Sequence, residues 1–367
     1  MSGRQAIAFF LPSVCGGGAE RVIVNLAQAM TERGLAVDLV LAAAEGVVLD
    51  HLPPEVRVVD LAAPRVLLSV GPLSRYLRRE RPRVLVSSMG HANVAAIWAG
   101  RLARRATPVL VTEHNTLSQA TQQKSRVPGY FWPPLIRIFY PWADSIVAVS
   151  RGVADDLART SGLPRDRIEV VYNPVITPTM MAQAQEVPTH PWFAPDQPPV
   201  ILGVGRLTRQ KDFLTLLRAF AEVRRCRTAR LMILGEGEDR SALEALAAEL
   251  GVADDVSLPG FQENAMAYMA RSAAFVLSSA WEGLPTVLIE ALAAGTSVIS
   301  TDCPSGPREI LQEGRLGTLV PVGDAAALAT AILRTLEQAA APVPAAALTP
   351  FTRDAAVDNY LRLIESL

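Results

Sequence analysis

PVILGVGRLTRQKDFLTLLRAFAE, residues 199–222, sets the architecture of the chain. The run VILGV is short and apolar and reads as a buried parallel strand. A loop with glycine and cations follows, and apolar residues then recur at helical spacing. The same order stands at the front of the chain in QAIAFFLPSVCGGGAERVIVNLAQAM, residues 5–30. There IAFFL is the strand, CGGG the loop and AERVIVNLAQAM the helix. The two stretches share no close sequence repeat, only a plan.

Outward from each opening the alternation continues. In the first half AVDLVLAA, RVLVSSM, TPVLVTEH and SIVAVS read as strands, with LSRYLRRER, NVAAIWAGRLARR and GVADDLART as helices between them. In the second half RLMILGEG, VSLPG, AAFVLSS and SVISTD are strands and SALEALAAELG, NAMAYMARS, TVLIEALAA and AAALATAILRTLEQA helices. Strands alternating with helices imply an α/β chain of parallel sheets covered on both faces. The expected organisation is a Rossmann-like domain over residues 1–174, a Pro-rich linker over 175–198 and a second Rossmann-like domain over 199–349. An amphipathic helix within 350–367 could return to the first domain. Such sheets bind ligands beyond the carboxyl ends of their strands, so two of them facing each other would make a cleft.

Composition narrows the classes. The 367 residues are half hydrophobic with a net charge of −1, which describes a globular rather than a disordered chain and points to no nucleic acid. Residues 1–175 hold 20 Lys/Arg against 14 Asp/Glu, and residues 176–367 hold 15 against 22. The mildly basic first half suits an anionic acceptor or a membrane surface, and equally ordinary solvated arginine. Cys15, Cys226 and Cys303 form neither a disulfide framework nor a metal site, which fits a reducing cytoplasm. No signal-peptide core stands at the front, and no apolar run reaches the ~18 residues of a spanning helix. A membrane contact would therefore be peripheral, at the inner face.

The candidate site residues lie just after strands. Gly16, Gly17 and Gly18 open a helix, where backbone can approach an anion, with a tight turn as the alternative reading. Gly205, Arg206 and Lys211 follow the strand VILGV, where two cations could clamp a diphosphate. Solvated loop cations are the alternative reading. The chain has no Asp-x-Asp triplet, so cationic side chains rather than a held metal would neutralise such a leaving group. Gly235 and Gly237 follow RLMIL and suit either a close approach to a nucleotide or a plain turn. Phe261, in PGFQEN, could pack on a base. His114, in EHN, would point into the cleft from the first domain by its place at a strand end, with a purely structural imidazole as the alternative.

WEGLPTVLIEALAAG, residues 281–295, poses a sharper problem. After Pro285 it reads as a helix over Thr286 to Ala294 that is apolar nearly all round, yet it keeps Glu290, with Glu282 eight residues before. Burying a carboxylate without partners is costly. Gly283, Leu284 and Pro285 lead into a helix whose Thr286 and Val287 N–H groups could bind phosphate. Glu290 could hold the vicinal hydroxyls of a ribose and Glu282 those of a sugar ring. The alternative for Glu290 is the positive end of the helix dipole or an arginine partner.

Together these stretches resemble the retaining glycosyltransferases of the GT-B fold, sequence family four. The resemblance runs from GGGAER to STDCPSGPREIL and LVPVGD, nearly the whole chain. EGLPTVLIE is similar to the family's Glu, seven residues, Glu signature, and implies that Glu282 contacts the donor sugar and Glu290 the ribose. GRLTRQKDF implies Arg206 and Lys211 at the diphosphate, and TEHN implies His114 in the cleft. YNPV departs from the pattern, with Pro174 where many members have Gly. The resemblance implies a metal-independent transfer of a hexose or N-acetylhexosamine from a nucleotide-sugar, commonly a UDP-sugar, with retained configuration and no cofactor. GGAER, TEHN and CPSGPREIL look most like bacterial enzymes that extend lipid-linked oligosaccharides or surface polysaccharides. The segment RVPGYFWPPLIRIFYPW, residues 126–142, is compatible with a membrane interface and equally with a packed aromatic core. A nucleotide-sugar epimerase and a catalytically silent nucleotide-sugar-binding module are the rival readings.

Overall fold

The computed structural model describes residues 5–14, 18–46, 52–120, 132–338 and 342–367. The chain divides into two units, Met1–Pro174 with Phe351–Leu367, and Val175–Pro350.

The first unit is built on strands β1 Ile7–Leu11, β2 Val37–Leu41, β3 Arg57–Asp60, β4 Val84–Ser88, β5 Val109–Glu113, β6 Ser145–Ala148 and β7 Ile168–Val170. They pair in parallel in the order β3-β2-β1-β4-β5-β6-β7. A parallel sheet covered on both faces needs apolar residues at every position. IAFFL, VDLVL and VLVSS are buried throughout, and all their positions but Asp38, Ser87 and Ser88 are apolar. Asp38 in β2 is the charged exception, and it is fully partnered. Arg57 donates from Nε at 2.9 Å and Tyr76 from its hydroxyl at 2.6 Å.

The helix Gly18–Glu32 and the final helix Arg353–Glu365 pack on each other. Ile23, Leu26 and Met30 from the one and Val357, Tyr360 and Ile364 from the other join Phe9, Leu39 and Val86 of the sheet in one buried cluster. Thr352 caps the final helix by accepting from the Ala355 N–H at 3.3 Å. The Tyr360 and Thr112 hydroxyls lie 3.3 Å apart inside the core. The last residues of the chain are thus part of the first unit.

The second unit carries β8 Val200–Val204, β9 Arg230–Leu234, β10 Val256–Gly260, β11 Ala274–Leu277, β12 Val298–Thr301 and β13 Thr318–Val320. These are also parallel, in the order β10-β9-β8-β11-β12-β13. Helix Phe213–Cys226 packs against helix Ala325–Glu337 over a core of Leu216, Phe220, Ile233, Leu328 and Ile332. Asp212 and Asp324 cap these helices, accepting from the N–H groups of Thr215 and Ala327.

The segment 175–198, expected to be a linker, is an ordered part of the second unit. Thr177 caps a short helix Pro178–Gln183. Asn264 and Arg271 then hold the segment down through the carbonyls of Gln183, Ala184 and Gln185. Proline spacing suggested an open connector, but these side chains take up its backbone acceptors. Both sheets place their reversal of strand order beside the first strand, between β1 and β4 and between β8 and β11.

Candidate functional site

The crevice beyond the carboxyl ends of β8 and β11 is where an open parallel sheet binds ligands. The loops after these two strands are bound to each other. Ala280 N–H donates to the Gln210 carbonyl at 2.8 Å, Gln210 Nε2 to the Trp281 carbonyl at 3.0 Å and Ser278 Oγ to the Lys211 carbonyl at 2.7 Å. That framework brings Lys211 Nζ to 2.6 Å from Glu282 Oε1. The two side chains are 16% and 8% exposed, so the pair is largely out of water. Ser279 Oγ donates to the same carboxylate oxygen at 2.7 Å. The second oxygen, Oε2, has no hydrogen-bond partner among the described residues.

The loop after β12 supports Glu282 from behind. Glu282 N–H donates to the Pro304 carbonyl at 3.2 Å, and Ser305 Oγ to the Gly283 carbonyl at 2.7 Å. A Cβ on Gly306 would lie 2.4 Å from Pro285 Cδ, so only glycine lets this loop close on the one before helix Thr286–Ala293. Cys303 is buried here. Burial first, and the Glu282 carboxylate second, push its thiol up to about 12, which leaves it protonated and inert.

Gly205 backs onto Lys211, with Cε of that side chain 3.0 Å from where a Cβ would stand. Arg206, next in sequence, is exposed and has no ion-pair partner among the described residues. Gly235 and Gly237 lie where two loops of the second unit meet, a backbone contact that neither sequence reading of them named. A Cβ at Gly235 would come 2.0 Å from the Gly205 carbonyl oxygen, and one at Gly237 would come 2.2 Å from that of Leu207. Their small size lets the loops after β8 and β9 cross, sealed by Leu207 N–H to the Glu236 carbonyl at 2.9 Å.

Gly283, Leu284 and Pro285 are buried, and Thr286 and Val287 at the helix start are half-buried. Glu290, half-buried, lies one turn further along the same helix. The helix ends one residue sooner than expected, at Ala293, with Ala294 as its cap. Phe261 is exposed at the end of β10.

In the first unit Gly18 is the exposed first residue of its helix, while Gly16 and Gly17 lie outside the described residues. His114 follows β5 directly. Its Nε2 is buried with no hydrogen-bond partner among the described residues, and burial lowers the imidazole to about 4, so the ring is neutral at pH 7. Beside it, Glu113 accepts from the Tyr140 hydroxyl and from Asn93 Nδ2 at 3.1 Å. Burial pushes the Glu113 carboxyl up, against both hydrogen bonds. Ser279, Asn93, Glu113 and Tyr140 escaped sequence reasoning. Only Asn93, a lone amide in the apolar run NVAAIWAG, carried a local signal.

Comparison with known proteins bears on the family and the fold. Residues 198–338 match the family model described as glycosyl transferases group 1, and residues 16–177 match glycosyltransferase family 4. The chain is 30% identical over 361 residues to the lipopolysaccharide core biosynthesis glycosyltransferase LpsE of Rhizobium meliloti, covering 95% of this chain and 96% of that protein. It is 29% identical over 332 residues to N-acetylgalactosamine-N,N'-diacetylbacillosaminyl-diphospho-undecaprenol 4-alpha-N-acetylgalactosaminyltransferase of Campylobacter jejuni, covering 87% and 86%. The crystal structure of Anabaena HepE in complex with UDP superimposes with a TM-score of 0.79 at 20% identity, over 99% of this chain and 100% of that one.

Proposed function

The chain belongs to the group 1, family 4 glycosyltransferases of GT-B fold, and on that premise we propose that it moves a hexose or N-acetylhexosamine from a UDP-sugar to a lipid-linked glycan, with retained configuration and without a metal. The observation that carries this reading is the Lys211–Glu282 contact at 2.6 Å, at the strand reversal of the second sheet. It joins one cation to one carboxylate that still has a free oxygen, which suits a donor with an anionic end and a polyol end.

Each residue then has a task. Lys211 and Arg206 stabilise the charge that builds on the departing diphosphate. The N–H groups of Thr286 and Val287 face the same phosphates at a helix N-terminus. Glu282 is anchored through Oε1 and uses Oε2 for a sugar hydroxyl. Glu290 accepts from ribose hydroxyls. The diphosphate oxygen helps take the acceptor proton on the face the leaving group vacates, so no protein nucleophile is required. His114, neutral at pH 7, offers a hydrogen bond rather than a charge. The acceptor class rests on the named activities of LpsE and the Campylobacter enzyme, and the donor nucleotide on the HepE complex with UDP.

The test is a thermal-shift panel of UDP, GDP, ADP and NAD, followed by UDP-hexoses and their N-acetyl forms. A ligand at a hundredfold excess over its dissociation constant adds about 2.7 kcal/mol of apparent stability. UDP compounds alone should raise Tm, and Glu290→Ala should abolish the shift. A shift confined to GDP or ADP overturns the donor, and an undiminished UDP shift in Glu290→Ala overturns the ribose assignment.

A further inference from the structure

Strand β11 ends at Leu277, and the next two residues, Ser278 and Ser279, are both fully buried. Their hydroxyls go to different partners. Ser278 Oγ donates to the backbone carbonyl of Lys211 at 2.7 Å. Ser279 Oγ donates to Oε1 of Glu282 at 2.7 Å. One serine thus fixes the backbone that carries the cation, and its neighbour fixes the carboxylate itself.

Lys211 stands in the turn before helix Phe213–Cys226, whose cap is Asp212 at a φ of +45°. Its N–H donates to the Thr208 carbonyl at 2.9 Å. Its carbonyl lies outside the helical ladder, and the Ser278 hydroxyl takes it up. Ser279 is held from the other side. Thr301, fully buried at the end of β12, donates from Oγ1 to the Ser279 carbonyl at 2.6 Å. A line Thr301–Ser279–Glu282 therefore reaches the carboxylate from β12 without passing through Lys211.

The two bonds on Glu282 Oε1 respond differently to an arriving anion. The Lys211 ammonium has three N–H donors, and among the described residues it uses one, on Glu282. A diphosphate competes with the carboxylate for that ammonium. The Ser279 hydroxyl is neutral and buried, so phosphate charge does not draw it away. It then keeps Oε1 in place, and a nearly dry carboxylate needs such a donor.

We infer, on the donor reading given above, that Ser278 and Ser279 are positioning residues for opposite ends of the nucleotide-sugar. Ser278 places Lys211 for the diphosphate. Ser279, backed by Thr301, keeps Glu282 aimed at a sugar hydroxyl while Lys211 is shared with phosphate.

Isothermal titration of the full chain with UDP, and with UDP-glucose, UDP-galactose and their N-acetyl forms, tests this division. The UDP-sugar that binds the parent most tightly serves as the probe for the variants, each checked first for an intact unliganded Tm. Ser279→Ala should weaken that UDP-sugar by about tenfold or more, the worth of a hydrogen bond to a charged group, and leave UDP binding as in the parent. Ser279→Thr keeps the hydroxyl and should restore the parent affinity. Once Glu282→Ala has removed the carboxylate, Ser279→Ala should cost no further affinity. Ser278→Ala should weaken UDP and UDP-sugar alike, by about threefold. Thr301→Val should reproduce the Ser279→Ala pattern in weaker form, and it carries the test if Ser279→Ala does not fold. Equal losses of UDP and UDP-sugar in Ser279→Ala, no loss in it, or a further loss on top of Glu282→Ala overturns the assignment of Ser279. A Ser278→Ala that spares UDP overturns that of Ser278. In both cases the donor reading stands. A parent that binds no UDP compound overturns the donor reading itself, and the serine assignments with it.

Discussion

The Lys211–Glu282 pair is nearly dry, so neither charge can be removed alone without leaving the other uncompensated. Lys211→Met should destabilise the second unit by about 3 kcal/mol, and adding Glu282→Gln should recover part of that loss. A double-mutant cycle read by urea denaturation measures the coupling, and strict additivity would show that the contact is too wet to matter. Both variants should also lower turnover more than UDP affinity. His114 makes a pH prediction. Above pH 6.5 its ring is neutral in folded and unfolded chains alike. As pH falls from 6.5 toward 4 only the unfolded chain takes the proton, so stability declines, by up to about 3 kcal/mol. Glu113 works the other way. Its carboxyl is pushed up by burial, so the folded state takes a proton before the unfolded one does and regains stability as acid is added. His114→Asn should flatten the fall between pH 7 and pH 5, and an unchanged profile would place the imidazole in water. Sequence singled out Lys211, Glu282 and His114 but gave the first two separate tasks. They are 71 positions apart, and no local pattern says that β8 and β11 are neighbours.

At the scale of elements, glycine decides how the loops of the second sheet meet. Gly235→Ala would drive a Cβ into the Gly205 carbonyl, at a φ of +137° that alanine avoids. It should lower stability by more than about 3 kcal/mol and, by displacing the loop that backs Lys211, weaken UDP binding as well. Calorimetry with a parallel UDP titration checks both, and a loss of stability with unchanged UDP affinity would uncouple the crossing from the site. The central strands were readable from their apolar runs because both faces are covered. The strands β3, β7 and β13 were not, being three or four residues long at sheet edges. An edge strand buries less of itself, so its sequence carries less of the pattern. The segment 175–198 hid its place for another reason: the side chains that fix it, Asn264 and Arg271, lie some 80 residues onward.

At the scale of the molecule, the first unit is closed by residues from the far end of the chain. Ending the chain at Pro350 removes Val357, Tyr360 and Ile364 from the first unit's core and leaves the second unit's residues whole. Calorimetry of that truncation should show the first unit's transition lost or moved sharply down and the second's retained. Two unshifted transitions would make the final helix dispensable. The ion pairs that fringe the helix, such as Arg33 with Asp354 at 3.1 Å, are exposed and add little, so the apolar face carries the effect. Its amphipathic pattern was plain in the sequence, whereas its destination was a choice between two cores that periodicity does not distinguish.

The same closure reverses the usual order of assembly on the ribosome. Domains generally fold as they emerge, the first before the second. Here the 176 residues of Val175–Pro350 must be made before the helix that completes the first unit's core exists, an interval of roughly 10 to 35 seconds at about 5 to 20 residues per second. Throughout it the nascent chain presents the open groove that Tyr360 and Ile364 will later fill, while the younger unit, contiguous and self-sufficient, is free to fold first. The first half of the chain is thus the part left waiting, and the second the part able to bury its core at once.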